Sequence, residues 1–160
     1  MPKLHANSFL DQDSKRVTCL MLPTRKEPLL LPAVALAEVD AVRPFPPEAN
    51  LDASKYGFYI WHDVPIPLFD PDVVDYNIGP MEHIRYVAVL HSQLENTSVP
   101  FFAIPMTGIP EQYIVEYGDL QIRPERKSVL SLYELTVDDT DAKIPDLIKF
   151  EEKVRALYKI

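Results

Sequence analysis

Over most of the chain, apolar residues come in short runs broken by proline and charge, not in helical stripes. Val17-Thr18-Cys19-Leu20-Met21-Leu22 has strand composition and is closed by Pro23-Thr24-Arg25-Lys26-Glu27-Pro28. Leu29-Leu30-Leu31 returns, so the two runs predict a hairpin with a charged, proline-bracketed loop. Pro32 suits a first helical position, and the alanines after it predict a short helix over 32–39, with 39–42 extended beyond it. The clearest element is central. Tyr56-Gly57-Phe58-Tyr59-Ile60-Trp61 and Val64-Pro65-Ile66-Pro67-Leu68-Phe69 flank a two-residue turn, His62-Asp63. Pro65 and Pro67 are two apart, so one edge of that strand lacks two donors; the strand lies at a sheet edge or leaves its sheet.

Further on, the polar stretch from Asp70 to Glu82 predicts a loop. Arg85 to Leu90, Pro100 to Ile104, Tyr113 to Tyr117 and Ser128 to Tyr133 predict strands, and the acidic 137–141 segment predicts a tight turn or solvated loop. The period changes only from Pro145 to Tyr158. There Leu147, Phe150, Val154 and Leu157 share one helical stripe, and Glu151 precedes Arg155 by four residues, the favourable order for an ion pair. This helix is expected to pack across an open barrel end or between two small sheets. Residues 1–15 are polar and aperiodic and predict a flexible tail ahead of one domain over 16–160.

Composition sharpens this picture. The 160 residues include 16 prolines and only 4 glycines, so turns are made largely by proline and polar residues, as in a domain of many short strands. The net charge of −8 argues against nucleic acid as a partner, because phosphate backbones are gripped by clustered Lys and Arg. One cysteine, Cys19, excludes an intramolecular disulfide and a cysteine zinc cage, and fits a cytoplasmic location. No apolar run approaches the length of a secretory signal core or a membrane span.

Candidate chemistry is sparse. His5, His62, His83 and His91 stand in four different segments with no metal-ligand spacing, and solvated turn positions account for them. The glycines at 57, 79, 108 and 118 form no phosphate loop, and no GxSxG elbow occurs. Cys19 sits mid-strand, as a packed thiol does. No catalytic, metal or cofactor residues are assigned. Tyr56, Phe58, Tyr59, Trp61, Phe69 and Tyr76 crowd together, and a small β-domain buries part of this cluster; an exposed remainder would form a docking patch.

The order of elements resembles a CheW-type adaptor domain. Glu38-Val39 stands where that family carries Glu-Val or Glu-Ile after its second strand. The segment Gly57 to Asp70 matches the family's GVxNxRGxxxPxxDL in length, with Gly57, Pro67 and Asp70 in place. The family's Arg-Gly turn is His62-Asp63 here, and its preceding Asn is Ile60, a divergence closer to the accessory CheW-like (ChpC-like) proteins of chemosensory pilus systems. The resemblance covers residues 16–158. It implies a mainly β fold of two intertwined five-stranded SH3-like barrels with a C-terminal helix. It further implies a non-enzymatic adaptor, monomeric when isolated, that couples a chemoreceptor's cytoplasmic tip to the regulatory domain of a chemotaxis-type histidine kinase. By motif position, Glu38, Val39, Trp61, His62 and Asp63 are the candidate protein-binding residues. Two other readings stay open: a small β-barrel ligand-binding protein or hydrolase using His62, Asp63 and Asp70, and a structural β-domain that self-associates through the Val64–Phe69 edge.

Overall fold

The computed structural model describes residues 10–11, 16–116, 118–124 and 128–160. Twelve strands and two helices are present among them: β1 (Leu10–Asp11), β2 (Arg16–Leu22), β3 (Leu29–Pro32), β4 (Leu36–Phe45), β5 (Lys55–Trp61), β6 (Val64–Phe69), α1 (Pro71–Tyr76), β7 (Ile84–His91), β8 (Phe101–Met106), β9 (Glu111–Glu116), β10 (Gln121–Ile122), β11 (Ser131–Val137), β12 (Thr140–Pro145) and α2 (Leu147–Tyr158). They build two curled sheets. The first runs β9-β2-β3-β12-β11, with the two-residue β1 and β10 added to β2 and β11. The second runs β4-β7-β8-β6-β5. Each therefore has five substantial strands, as the two-barrel resemblance implies. The sheets are intertwined in sequence: β2 and β3 open the first, the whole of the second follows, and β9 to β12 return to complete the first.

Three apolar clusters explain why the strands read as unbroken apolar runs. Cys19, Met21 and Leu30 fill the curl of the first sheet, while Tyr56, Ile66, Val87, Val89 and Ala103 fill that of the second. Leu22, Leu29, Leu31, Ala88, Leu90, Phe102 and Ile104 turn the other way into a core shared by both sheets, joined by Phe150, Val154 and Tyr158 of α2. Over residues 29–31, 87–90 and 102–106, strands β3, β7 and β8 thus bury both faces, and no polar residue alternates with the apolar ones there. Cys19 lies in this packing with its thiol pushed up to about 11 by burial.

Several expected elements differ. The helix expected over 32–39 is a single 3-10 turn, Ala33–Ala35, and the chain then runs as a ten-residue strand to Phe45. Pairing with β7 outweighs the alanines' weak helical preference. The loop expected over 70–82 contains α1, started by the Asp70 side chain accepting from the Asp72 N–H with Pro71 behind it. Segment 137–141 is a tight turn at Asp138-Asp139, but it leads into the unforeseen β12. Strand β6 lies between β5 and β8, yet it meets β8 only at Leu68 against Ala103; its proline stretch has no ladder partner on that side. The 1–15 tail falls mostly outside the described residues, although Leu10 and Asp11 pair with Val17 and Arg16. Among the described residues no helix is long and apolar enough to cross a membrane.

A buried ionic cluster holds the two sheets together. Lys143 of β12 is 0% exposed, with Nζ 3.4 Å from Asp75 Oδ2 and 4.0 Å from Asp72 Oδ1, both in α1, and 4.6 Å from the Tyr76 ring centre. The Asp75 carboxylate also accepts from the Ser128 hydroxyl and the Val129 N–H. Asp70, at the end of β6, accepts from Arg25 of the β2–β3 loop at 2.7 Å and from the Tyr56 hydroxyl. Burial pushes the Asp72 carboxyl upward, and the neighbouring Asp70 charge adds to it.

Candidate functional site: the seam between β4 and β5

Strands β4 and β5 are the two edges of the second sheet, and no backbone ladder joins them. Side chains close the gap instead. Glu38 and Asp40 stand opposite Val89 and Val87 in the β4–β7 ladder, so both share the face that looks into the curl. Tyr59 and Trp61 alternate in the same way on β5. The Trp61 indole N–H donates to Glu38 Oε2 at 2.8 Å, and the Tyr59 hydroxyl donates to Asp40 Oδ2. Phe101 of β8 supports Trp61 edge-on at 4.6 Å between ring centres.

The turn at the end of the seam follows from its two-residue length. His62 and Asp63 have φ of 48° and 64°, the left-handed pair that lets two twisted strands reverse without splaying. Trp61 and Val64 flank it in register. The His62 ring lies edge-on to Trp61 at 4.7 Å, with Nε2 3.4 Å from Glu38 Oε1. Both turn residues are exposed.

The two carboxyls of the seam differ in charge affinity. The Trp61 N–H holds the Glu38 carboxyl below the usual range, helped by its neighbour Asp40. Burial pushes Asp40 up; the Tyr59 hydroxyl partly offsets this, and Glu38 adds to the rise. Burial and the Asp40 carboxylate raise the Tyr59 phenol in turn, so it stays protonated and remains a donor.

Of the residues singled out from the sequence, Glu38, Trp61 and His62 come together, with Asp63 beside them at the tip. Val39 turns to the opposite face, opposite Ala88, and packs half-buried against the shared core. Tyr59, named in the sequence only as part of the aromatic cluster, belongs to the same constellation, as do Asp40 and Phe101, which the sequence reading does not single out; the alternation Glu38-x-Asp40 against Tyr59-x-Trp61 is the signal that marks Asp40 and Tyr59. Asp70 is not part of it. It lies at the far end of the six-residue β6, roughly 20 Å along the strand, 2% exposed and saturated by Arg25 and Tyr56. Among the described residues no three His, Cys, Asp or Glu side chains are grouped to hold a metal ion.

No family model matches the sequence, and no curated protein does. The fold does have a match. The chain is similar in structure to the scaffolding protein TtCheW from Thermoanaerobacter tengcongensis, with a TM-score of 0.62 and 12% sequence identity over 92% of this chain and 91% of that one. The architecture is a CheW-like fold over nearly its whole length.

Proposed function

We propose that this protein is a non-enzymatic, cytoplasmic signalling adaptor that couples a methyl-accepting chemoreceptor to a chemotaxis-type histidine kinase. Its divergence from the usual turn sequence favours the accessory, ChpC-like branch, which serves type IV pilus twitching motility. The observation that carries this reading is the likeness to a CheW scaffold along both barrels at once, since a partial match would leave the shared core unaccounted for.

The contact residues in this reading are Glu38, Trp61, His62 and Asp63, with Val39 behind them. Trp61 anchors Glu38 so that one carboxylate oxygen faces the exposed tip, and His62 shares it. A tip bearing His62 and Asp63 in place of Arg and Gly presents less fixed positive charge, so it suits a less acidic partner surface. The alternative of a hydrolytic site using His62, Asp63 and Asp70 has no support from geometry, because Asp70 is remote and fully engaged.

Co-purification of the tagged chain from its native cells tests the proposal. Recovery of a histidine kinase or a methyl-accepting receptor is expected; recovery of neither, under conditions that retain other signalling complexes, refutes it. Exchanging His62-Asp63 for Arg-Gly should then shift preference among receptors. Unchanged preference would mean that the tip touches no partner.

A further inference from the structure

A carboxylate only accepts hydrogen bonds, so a ring nitrogen that pairs with one must carry a hydrogen. His62 Nε2 lies 3.4 Å from Glu38 Oε1 and is that nitrogen, while Nδ1 has no hydrogen-bond partner among the described residues. The side chain is 67% exposed and leans edge-on against Trp61. Glu38 is shared. Its Oε2 accepts from the Trp61 indole at 2.8 Å, one of the two hydrogen bonds that close the seam, and its Oε1 is left to His62. The other charged groups at this end are Asp40, two residues along β4, and Asp63, next in the turn. From β5 the Tyr59 phenol stays protonated, and β8 brings the apolar Phe101, whose ring also meets His91 at 5.4 Å. Among the described residues no lysine or arginine pairs with Glu38, Asp40 or Asp63, which leaves His62 as the only base paired with any of them.

Histidine changes charge between about pH 5 and 8, where arginine does not. In the neutral ring Nδ1 is a bare acceptor; in the charged ring both nitrogens donate. The Nε2 contact changes too. At 3.4 Å it is longer than the typical charge-assisted bond of about 2.7–2.9 Å, so a gained proton draws the ring and Glu38 together. We infer that His62 is a proton-operated switch of the seam. In mild acid it tightens on the carboxylate that Trp61 holds, and it offers a partner a donor and a positive charge. Above neutrality it offers an acceptor. The switch is a property of the free chain; only what it would regulate, engagement of a partner at the tip, rests on the adaptor reading.

Nuclear magnetic resonance of the full chain tests this. A single tryptophan gives one indole N–H resonance, and that hydrogen is the one donated to Glu38. Between about pH 5 and 8 the resonance is expected to move sigmoidally, as Glu38 is drawn toward His62. H62N tolerates the left-handed φ but does not titrate, and should abolish the movement. H91N should keep it. E38Q should cut it to about half or less, because a neutral acceptor gains less from a charged donor than a carboxylate does. A flat resonance in the parent overturns the inference, as does movement that survives H62N or E38Q undiminished, or that H91N removes. None of these readouts involves a partner, so a flat resonance leaves the adaptor reading standing and a failed co-purification leaves the switch standing.

Discussion

Hairpin β5–β6 and hairpin β11–β12 each run seven residues, a two-residue turn and six residues, then deliver the chain into a helix capped by an aspartate. The turns match, with φ of 48° and 64° at His62-Asp63 and 48° and 62° at Asp138-Asp139. So do the bulges, at Lys55/Gly57 and Ser131/Tyr133. The covering helices are exchanged: α1 follows the first hairpin but binds Lys143 of the second, whereas α2 follows the second and seats Tyr158 on the first. Equivalent cross-strand pairs then carry opposite chemistry. Phe58 faces Pro67 in one hairpin and Glu134 faces Lys143 in the other. The two charged residues are sealed inside, at 4% and 0% exposure, while Phe58 is 54% and its neighbour Ile60 60% exposed. One backbone plan serves as an internal fastening in one barrel and leaves an apolar, accessible face in the other.

Three single substitutions and two turn exchanges probe this contrast. Removing Lys143 as K143A should cost the most, about 4 kcal/mol in denaturant unfolding, because Asp72 and Asp75 are left as uncompensated buried charges. A loss under about 1 kcal/mol would show that the cluster does not fasten the sheets. On the other hairpin, the Tyr158 hydroxyl accepts from the Gly57 N–H at 2.9 Å and lies 2.6 Å from both the Gly57 and Leu68 carbonyls. Y158F strands those backbone groups and should cost about 2 kcal/mol.

Glu151 offers a smaller effect with a pH signature. Burial pushes its carboxyl up, but the Ser92 hydroxyl, the Gln93 N–H at 2.6 Å and Arg155 together bring it below its ordinary 4.5. An acid depressed by folding stabilises above its unfolded value and loses that contribution as pH falls through the folded one. E151Q should therefore be about 1 kcal/mol less stable than the parent at neutral pH, with the gap closing in acid below pH 4.5. A constant gap across the range would assign the loss to packing. Smallest is the turn exchange. Asn-Gly at 62–63 and at 138–139 should each stabilise by roughly 0.5 kcal/mol, since those residues accept left-handed φ more readily. Only the exchange at 62–63 should weaken partner capture; equal loss from both would erase the functional distinction between the hairpins.

Sequence alone revealed the second sheet better than the first. The runs around His62-Asp63 and from Arg85 to Ile104 announce their strands because both faces are apolar or the turn is short. Strand β12 escaped notice because its central Lys143 reads as solvent-facing, and only the aspartates of α1, distant in sequence, reverse that. Helix α1 was signalled by Asp70-Pro71, a cap followed by a first-turn proline, but six residues give no period. In the seam, Glu38, Trp61 and His62 were legible through motif position. Asp40, and the pairing of Tyr59 with it, required knowing that the sheet curls until its outer strands meet.

Strand β3 lies alongside β12, with the Lys143 N–H donating to the Pro28 carbonyl at 2.9 Å. A chain emerging from the ribosome must hold its leading hairpin half-finished until more than a hundred further residues have been made. The inserted sheet can mature meanwhile, as all its strands are contiguous in sequence. The leading hairpin, with Leu29 to Leu31 uncovered during that wait, is where a chaperone would bind, and slowing translation over 131–145 should lengthen its hold.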